Sequence, residues 1–174
     1  MLYLRAALLA PGVILHEFAH HLLCLLSGVR VRKVVYFRMG KPAGFVVHDE
    51  PEMYRQMFAI VAGPFLLNST VSVVLLNLSL RQWARATELL GFAEVAIMAW
   101  LGVSASLQAI PSRTDASNLL RSSNCHLLHG NPFAVLGYPV ALAIFLIQLA
   151  GPLGSEWFYT LLMAYVAYRG FATM

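Results

Sequence analysis

The chain has 174 residues, of which 59% are hydrophobic and 11% charged, with a formal net charge of +4. Ordinary globular chains carry about 25% charged residues, so this composition and a mean hydropathy of +0.69 point to an integral membrane protein rather than a soluble one. The positive balance does not point to nucleic acid, because Lys and Arg gather in loops beside apolar runs, where they act as topology signals and meet anionic headgroups.

The first segment, residues 1–28, reads as a span from Leu2 to Leu26. Arg5 followed by an apolar run superficially resembles a signal peptide. The run continues past Leu15 and no small-x-small site ends it, so a span is the better reading. Pro11 and Gly12 predict a kink or restart, and Gly28 is a natural C-terminal cap. Inside this run lies His16-Glu17-Phe18-Ala19-His20. On a helix the two His fall about 40° apart and one turn apart, which lets two imidazoles grip one metal ion. Glu17 stands beside that face, where a carboxylate can activate a zinc-bound water. An HExxH match alone is weak, and its residues can also form a helix-end or buried polar pair. Ionisable groups within a membrane span are costly and usually functional, which favours the metal site. His21, four residues after Glu17, is within reach of orienting it but is not expected to take a direct role. Cys24, one turn beyond His20, reads as a small buried hydrophobe, and with Cys125 it makes too few cysteines for a disulfide framework.

Residues 29–50 change character. Val31, Val34, Val35, Tyr36 and Phe37 precede Met39-Gly40-Lys41-Pro42-Ala43-Gly44, then Phe45-Val46-Val47. This predicts a β-hairpin at a membrane surface, either a plain connection or an edge that accepts an extended peptide. Residues 52–80 form a second span, carrying Ala62-Gly63-Pro64-Phe65 and Asn68. Gly63 permits close helix approach, Pro64 frees a backbone carbonyl, and Asn68 can hydrogen-bond across a bundle. Residues 86–110 form a third span with Glu94 near its start. A polar stretch containing Pro111-Ser112-Arg113-Thr114-Asp115-Ala116 follows. Residues 133–170 supply one further span, or two, because Gly151-Pro152-Leu153-Gly154 interrupts them. The expected fold is a single domain, 1–174: an all-α polytopic membrane protein with about four, or as many as five, transmembrane helices and a small β-hairpin between the first and second.

Arg30, Arg32, Lys33, Arg38, Lys41 and Arg55 lie on the hairpin side, with Arg113 and Arg121; Arg5, Arg81 and Arg85 lie on the other. The positive-inside rule puts the hairpin in the cytoplasm and the N-terminus outside, in the cell membrane. A catalytic zinc takes three protein ligands and keeps an open position. Asp115 is the expected third ligand, being on the right side directly after the third span. Its other reading is a helix N-cap. His48, His126 and His129 are alternatives, and Glu94 sits at the wrong end. Asn68 and Asn118 are candidate donors to a substrate or its oxyanion.

This pattern resembles the site-2 protease family of intramembrane zinc metalloproteases. The matching parts are the HExxH span, the hairpin after it, Ala62-Gly63-Pro64 with Asn68, and an Asp after the third span. They cover roughly residues 2–120. The resemblance implies one Zn²⁺ per chain held by His16, His20 and Asp115, with Glu17 catalytic and a membrane-embedded or membrane-proximal peptide as substrate. The family's Asp is usually followed by Gly, whereas here Ala116 follows Asp115. The chain looks like a minimal, divergent member. The competing classes are a non-proteolytic metal carrier or sensor, and a structural membrane subunit with no metal.

Overall fold

The computed structural model describes residues 2–173, with side chains from residue 6 onward. Helix α1 (Leu2–Leu26) leads into strands β1 (Val31–Val35) and β2 (Phe45–His48), then α2 (Tyr54–Trp83) and α3 (Leu89–Leu107). Helix α4 (Arg113–Leu128), a 3₁₀ turn (Pro132–Leu136), α5 (Gly137–Leu149), a second 3₁₀ turn (Gly151–Leu153) and α6 (Ser155–Ala172) complete the chain. Among the described residues, four stretches are long and apolar enough to cross a membrane: Ala6–Leu26, Tyr54–Trp83, Leu89–Leu107 and Pro132–Leu149. The fold is thus helical with four candidate spans and one two-stranded antiparallel sheet between the first two.

Local chemistry explains the element ends. Gly28 takes φ +71°, and it closes α1 with paired bonds, Gly28 N–H to Leu25 at 3.1 Å and Val29 N–H to Cys24 at 2.8 Å. These satisfy carbonyls a helix end otherwise leaves open. Val29 and Cys24 then pack together with Ile60 of α2, so the cap also fixes where α2 begins. Gln56 reinforces this join by donating to the Ser27 carbonyl at 2.9 Å. In the hairpin, Val34 pairs with Val46 and Val35 with Phe45, and Arg32 forms an ion pair with Asp49 at 2.5 Å.

At Pro11 the structure differs from the expected break: α1 runs through it as one helix. Proline removes the N–H that would bond the Ala7 carbonyl, and α3 bonds to the backbone just beyond it. Trp100 Nε1–H donates to the Leu8 carbonyl at 2.8 Å, Ser104 Oγ–H to Leu9 at 3.2 Å, and Gly12 N–H to Ser104 Oγ at 2.9 Å. A Cβ at Gly12 would sit 1.9 Å from the Ser104 carbonyl oxygen, so only glycine allows this contact.

Helix α2, 30 residues and about 45 Å long, is the spine, packing against α1, α3, α4 and α6. Helix α6 bonds to both ends of the α2/α3 pair. Thr160 meets Ser106 near the C-terminus of α3, and the Ala167 carbonyl accepts from Asn77 toward the C-terminus of α2. It therefore runs antiparallel to α3 along the bundle. Helix α5 instead packs mainly on α4. The region expected as one or two spans is thus two helices with different neighbours, separated at Gly151–Leu153 as the Gly/Pro run predicts. The polar stretch after the third span is itself helical, as α4, and α3 ends at Leu107.

Candidate metal centre

His16 and His20 project one turn apart from α1, with ring centroids 4.9 Å apart. Each ring is oriented through Nδ1. His16 Nδ1–H donates to the Gln108 carbonyl at 2.6 Å, and His20 Nδ1–H donates to the Ile60 carbonyl at 2.9 Å. Both acceptors follow from local backbone chemistry. Gln108 caps the C-terminus of α3, where carbonyls lack helical partners. Ile60 lies four residues before Pro64, which has no N–H to give it. The carbonyl that Pro64 releases is the one that orients His20.

With Nδ1 so engaged, both Nε2 atoms are available as ligands, the arrangement found around ligating histidines generally. Asp115 is placed to supply a third. It occupies the first turn of α4, at N3, and Ser112 is the N-cap. Asp115 N–H donates to Ser112 Oγ at 3.2 Å, while Ser112 N–H and Oγ–H both reach Asp115 Oδ2 at 2.7 Å. This is a capping box in which Asp115 answers the cap rather than forming it. Capping uses Oδ2 and leaves Oδ1, which lies 3.6 Å from His20 Nε2. The two readings of Asp115, cap and ligand, are therefore compatible in one side chain. Burial raises the Asp115 carboxyl pKa, but in the metal-free protein the charge of a protonated His20 beside it, with the Ser112 bonds, outweighs that and holds the group well below the usual carboxylate range.

Ligand atoms of His16, His20 and Asp115 all lie within 4.8 Å of one another, close enough to bind one metal ion. Two imidazoles and a carboxylate suit a divalent transition metal. The three line a cavity of about 470 Å³ that Glu17 also lines, together with hairpin residues 42–46, His48, Asn118, Gln148 and Glu156. The hairpin closes tightly over Glu17: a Cβ at Gly44 would lie 2.6 Å from Glu17 Cγ and 2.9 Å from the Tyr36 carbonyl oxygen.

The remaining sequence candidates separate by position. Asn118 lines the cavity one turn after Asp115. Asn68 does not line it. It is fully buried, and its Nδ2 lies 3.2 Å from the carbonyls of Gly12, Ala105 and Gln108. That amide ties α1, α2 and α3 together and holds the same Gln108 carbonyl that orients His16. His48 lines the cavity outside the triad, with Nδ1–H donating to the Asp49 carbonyl at 2.7 Å. The His126 ring lies between the Ser122 and Glu52 carbonyls, within hydrogen-bond distance of each, and His129 bonds to Cys125. His21 pairs with the Tyr36 hydroxyl of the hairpin, and Glu94 accepts from Gln82 at 2.7 Å. Cys24 is buried in the α1–α2 contact.

Sequence reasoning passed over Gln108, Ile60, Ser112, Gly44 and Glu156. The freed carbonyl before Pro64 was a readable signal for Ile60. Ser112 three residues before Asp115 was the capping-box signal, with Asp in the usual Glu position. Comparison with protein-family models, curated proteins and solved structures finds no match.

Proposed function

We propose that the protein is an intramembrane zinc metalloprotease, a divergent site-2 protease-like enzyme that hydrolyses peptide bonds of membrane-embedded or membrane-proximal substrates. One observation carries the reading. Three ligand atoms within 4.8 Å, each on a side chain already oriented by a hydrogen bond from or to its other end, share a cavity with a carboxylate on the neighbouring position of the same helix. When bound, zinc in such a site lowers the pKa of water toward ~7 and polarises a carbonyl.

The chain's own residues divide the rest of the work. His16, His20 and Asp115 hold the ion. Glu17 accepts the proton of the attacking water and delivers it to the leaving amine, so one carboxylate serves as base and then acid. Asn118 is the cavity donor placed for the substrate carbonyl. Asn68 acts at one remove, through Gln108. Strand β2 has β1 as its partner and Phe45 and Val46 line the cavity; its other edge accepts an extended segment by strand addition. That suits hydrolysis, because a helical peptide bond is shielded from attack by its own turn. By the positive-inside rule the hairpin and α4 face the cytoplasm and the N-terminus lies outside.

The test is metal content by elemental mass spectrometry on detergent-purified protein, with Glu17→Gln as a trap for substrates. About one zinc per chain in the wild type, lost in His16→Ala and Asp115→Ala, with peptides captured by Glu17→Gln and cleaved by the wild type, is the expected result. Zinc without cleavage makes the protein a metal carrier or sensor. No metal after attempted zinc reconstitution leaves a structural membrane subunit.

A further inference from the structure

The cavity contains a carboxylate that neither metal binding nor proton transfer uses. Glu156, in the first turn of α6, lines the cavity alongside His16, Glu17, His20 and Asp115. Among the described residues its carboxylate has no hydrogen-bond or ion-pair partner. Arg113 is engaged elsewhere, its Nη2–H donating to the Gln148 carbonyl at 3.2 Å. The placement of Glu156 is nonetheless built into the bundle. The Ser106 hydroxyl of α3 shares its proton between the Val103 carbonyl at 2.9 Å and Thr160 Oγ1 at 3.1 Å, and Thr160 Oγ1–H donates to the Glu156 carbonyl at 2.9 Å. Ser106 and Thr160 are both buried. Ser106 lies two residues before Gln108, so the helix end that orients His16 also anchors the backbone of Glu156.

An unpaired carboxylate on a cavity wall is open to a ligand's donor. A cation delivered by that ligand would form a charge-assisted hydrogen bond with it. The other cavity carboxylates are committed, Glu17 to proton transfer and Asp115 to the metal. Glu156 and hairpin residues 42–46 line the same cavity, and a peptide added to the β2 edge would enter it.

We propose that Glu156 is a specificity-determining residue, forming a subsite for a cationic nitrogen of the bound peptide: the side chain of Lys or Arg, or a free α-ammonium. As a statement about substrates it rests on the protease reading; as a statement about binding it rests on the cavity alone.

The experiment reads binding on full-length Glu17→Gln protein in detergent, by fluorescence anisotropy. The probes are labelled, N-acetylated ten-residue peptides of Val and Ala, with one Lys or its neutral counterpart norleucine stepped along the sequence. A further pair has no Lys, and one member keeps a free N-terminus. Lys at one or two positions, or the free amine, strengthens binding about tenfold over the neutral peptide. Adding Glu156→Gln abolishes the difference, and Glu156→Lys turns the preference toward a Glu-containing peptide. A gain at internal Lys assigns the subsite to side chains, and a gain confined to the free amine assigns it to the chain terminus. Equal binding of Lys and norleucine peptides, or a Lys preference that survives Glu156→Gln, overturns the proposal. Glu156→Asp keeps the charge and part of the preference, and it stands in if the Gln variant does not fold. Because binding is read without cleavage, failure of the protease reading registers separately, as wild-type protein that binds peptides and cuts none.

Discussion

Asn68→Ala separates two roles for a fully buried polar side chain near the candidate metal centre. The Asn68 amide nitrogen reaches three carbonyls at 3.2 Å, those of Gly12, Ala105 and Gln108. It has two hydrogens, so two full hydrogen bonds are the most it makes at once. Side-chain hydrogen bonds inside membrane proteins average about 0.6 kcal/mol and reach about 1.7. The expected loss of stability is therefore roughly 1–3 kcal/mol, measured by unfolding in mixed detergent micelles. A second effect is expected at the metal. Gln108 loses one of the groups holding its carbonyl, and His16 loses a fixed acceptor. Removing a partner directly bonded to a ligand costs about 10–100-fold in metal affinity. Asn68 acts one bond further out, so about tenfold weaker zinc binding is expected, read by competition with a chromogenic chelator. A residue that contacted the substrate oxyanion would behave oppositely, leaving zinc affinity intact and lowering only turnover. Zinc affinity within twofold of wild type in a folded Asn68→Ala protein refutes the reasoning.

Gly44→Ala places a methyl 2.6 Å from Glu17 Cγ and 2.9 Å from the Tyr36 carbonyl, so either the hairpin or Glu17 must shift. Displacements near 1 Å cost about a hundredfold in rate; kcat/KM should fall by that order while bound zinc stays near the wild-type level. Unchanged turnover would remove the hairpin from the proposed catalytic arrangement. Ser112→Ala deletes a hydroxyl donor to Asp115 Oδ2, and the Asp115 pKa, depressed in the folded protein, should rise toward its usual value. A depressed carboxyl contributes stability above its unfolded pKa and loses it as pH falls through the folded one. Protons compete with metal for the same carboxylate, so zinc release on acidification should begin at higher pH in the variant; an identical release curve counts against the capping box as a control on the ligand. Cys125 is exposed on α4 and Cys24 is buried. A membrane-impermeant maleimide should label Cys125 in inverted vesicles and not in intact cells, and labelling of intact cells would reverse the orientation.

Some features depend only on the chain's own short-range geometry, and these were legible in the sequence. The four-residue spacing of His16 and His20 fixes their common face once the segment is helical, Gly28 ends that helix because it adopts a positive φ easily, and the Gly/Pro run at 40–44 turns the hairpin. Pro64 announces that one carbonyl four residues earlier lacks a helical donor. None of this says which groups meet. His16 and Gln108 are 92 residues apart and His20 and Ile60 are 40 apart; their contacts depend on how α1, α2 and α3 are rotated and at what depth they cross. The close contact at Gly12 and the Asn68 amide help set that geometry. The tertiary structure therefore decided that the Ile60 carbonyl serves His20, that Asn68 braces the site instead of entering the cavity, that Asp115 caps with one oxygen and offers the other, and that Glu156 stands on the cavity wall. Periodicity is written into each helix by its backbone, whereas the relative placement of helices exists only once their side chains have packed.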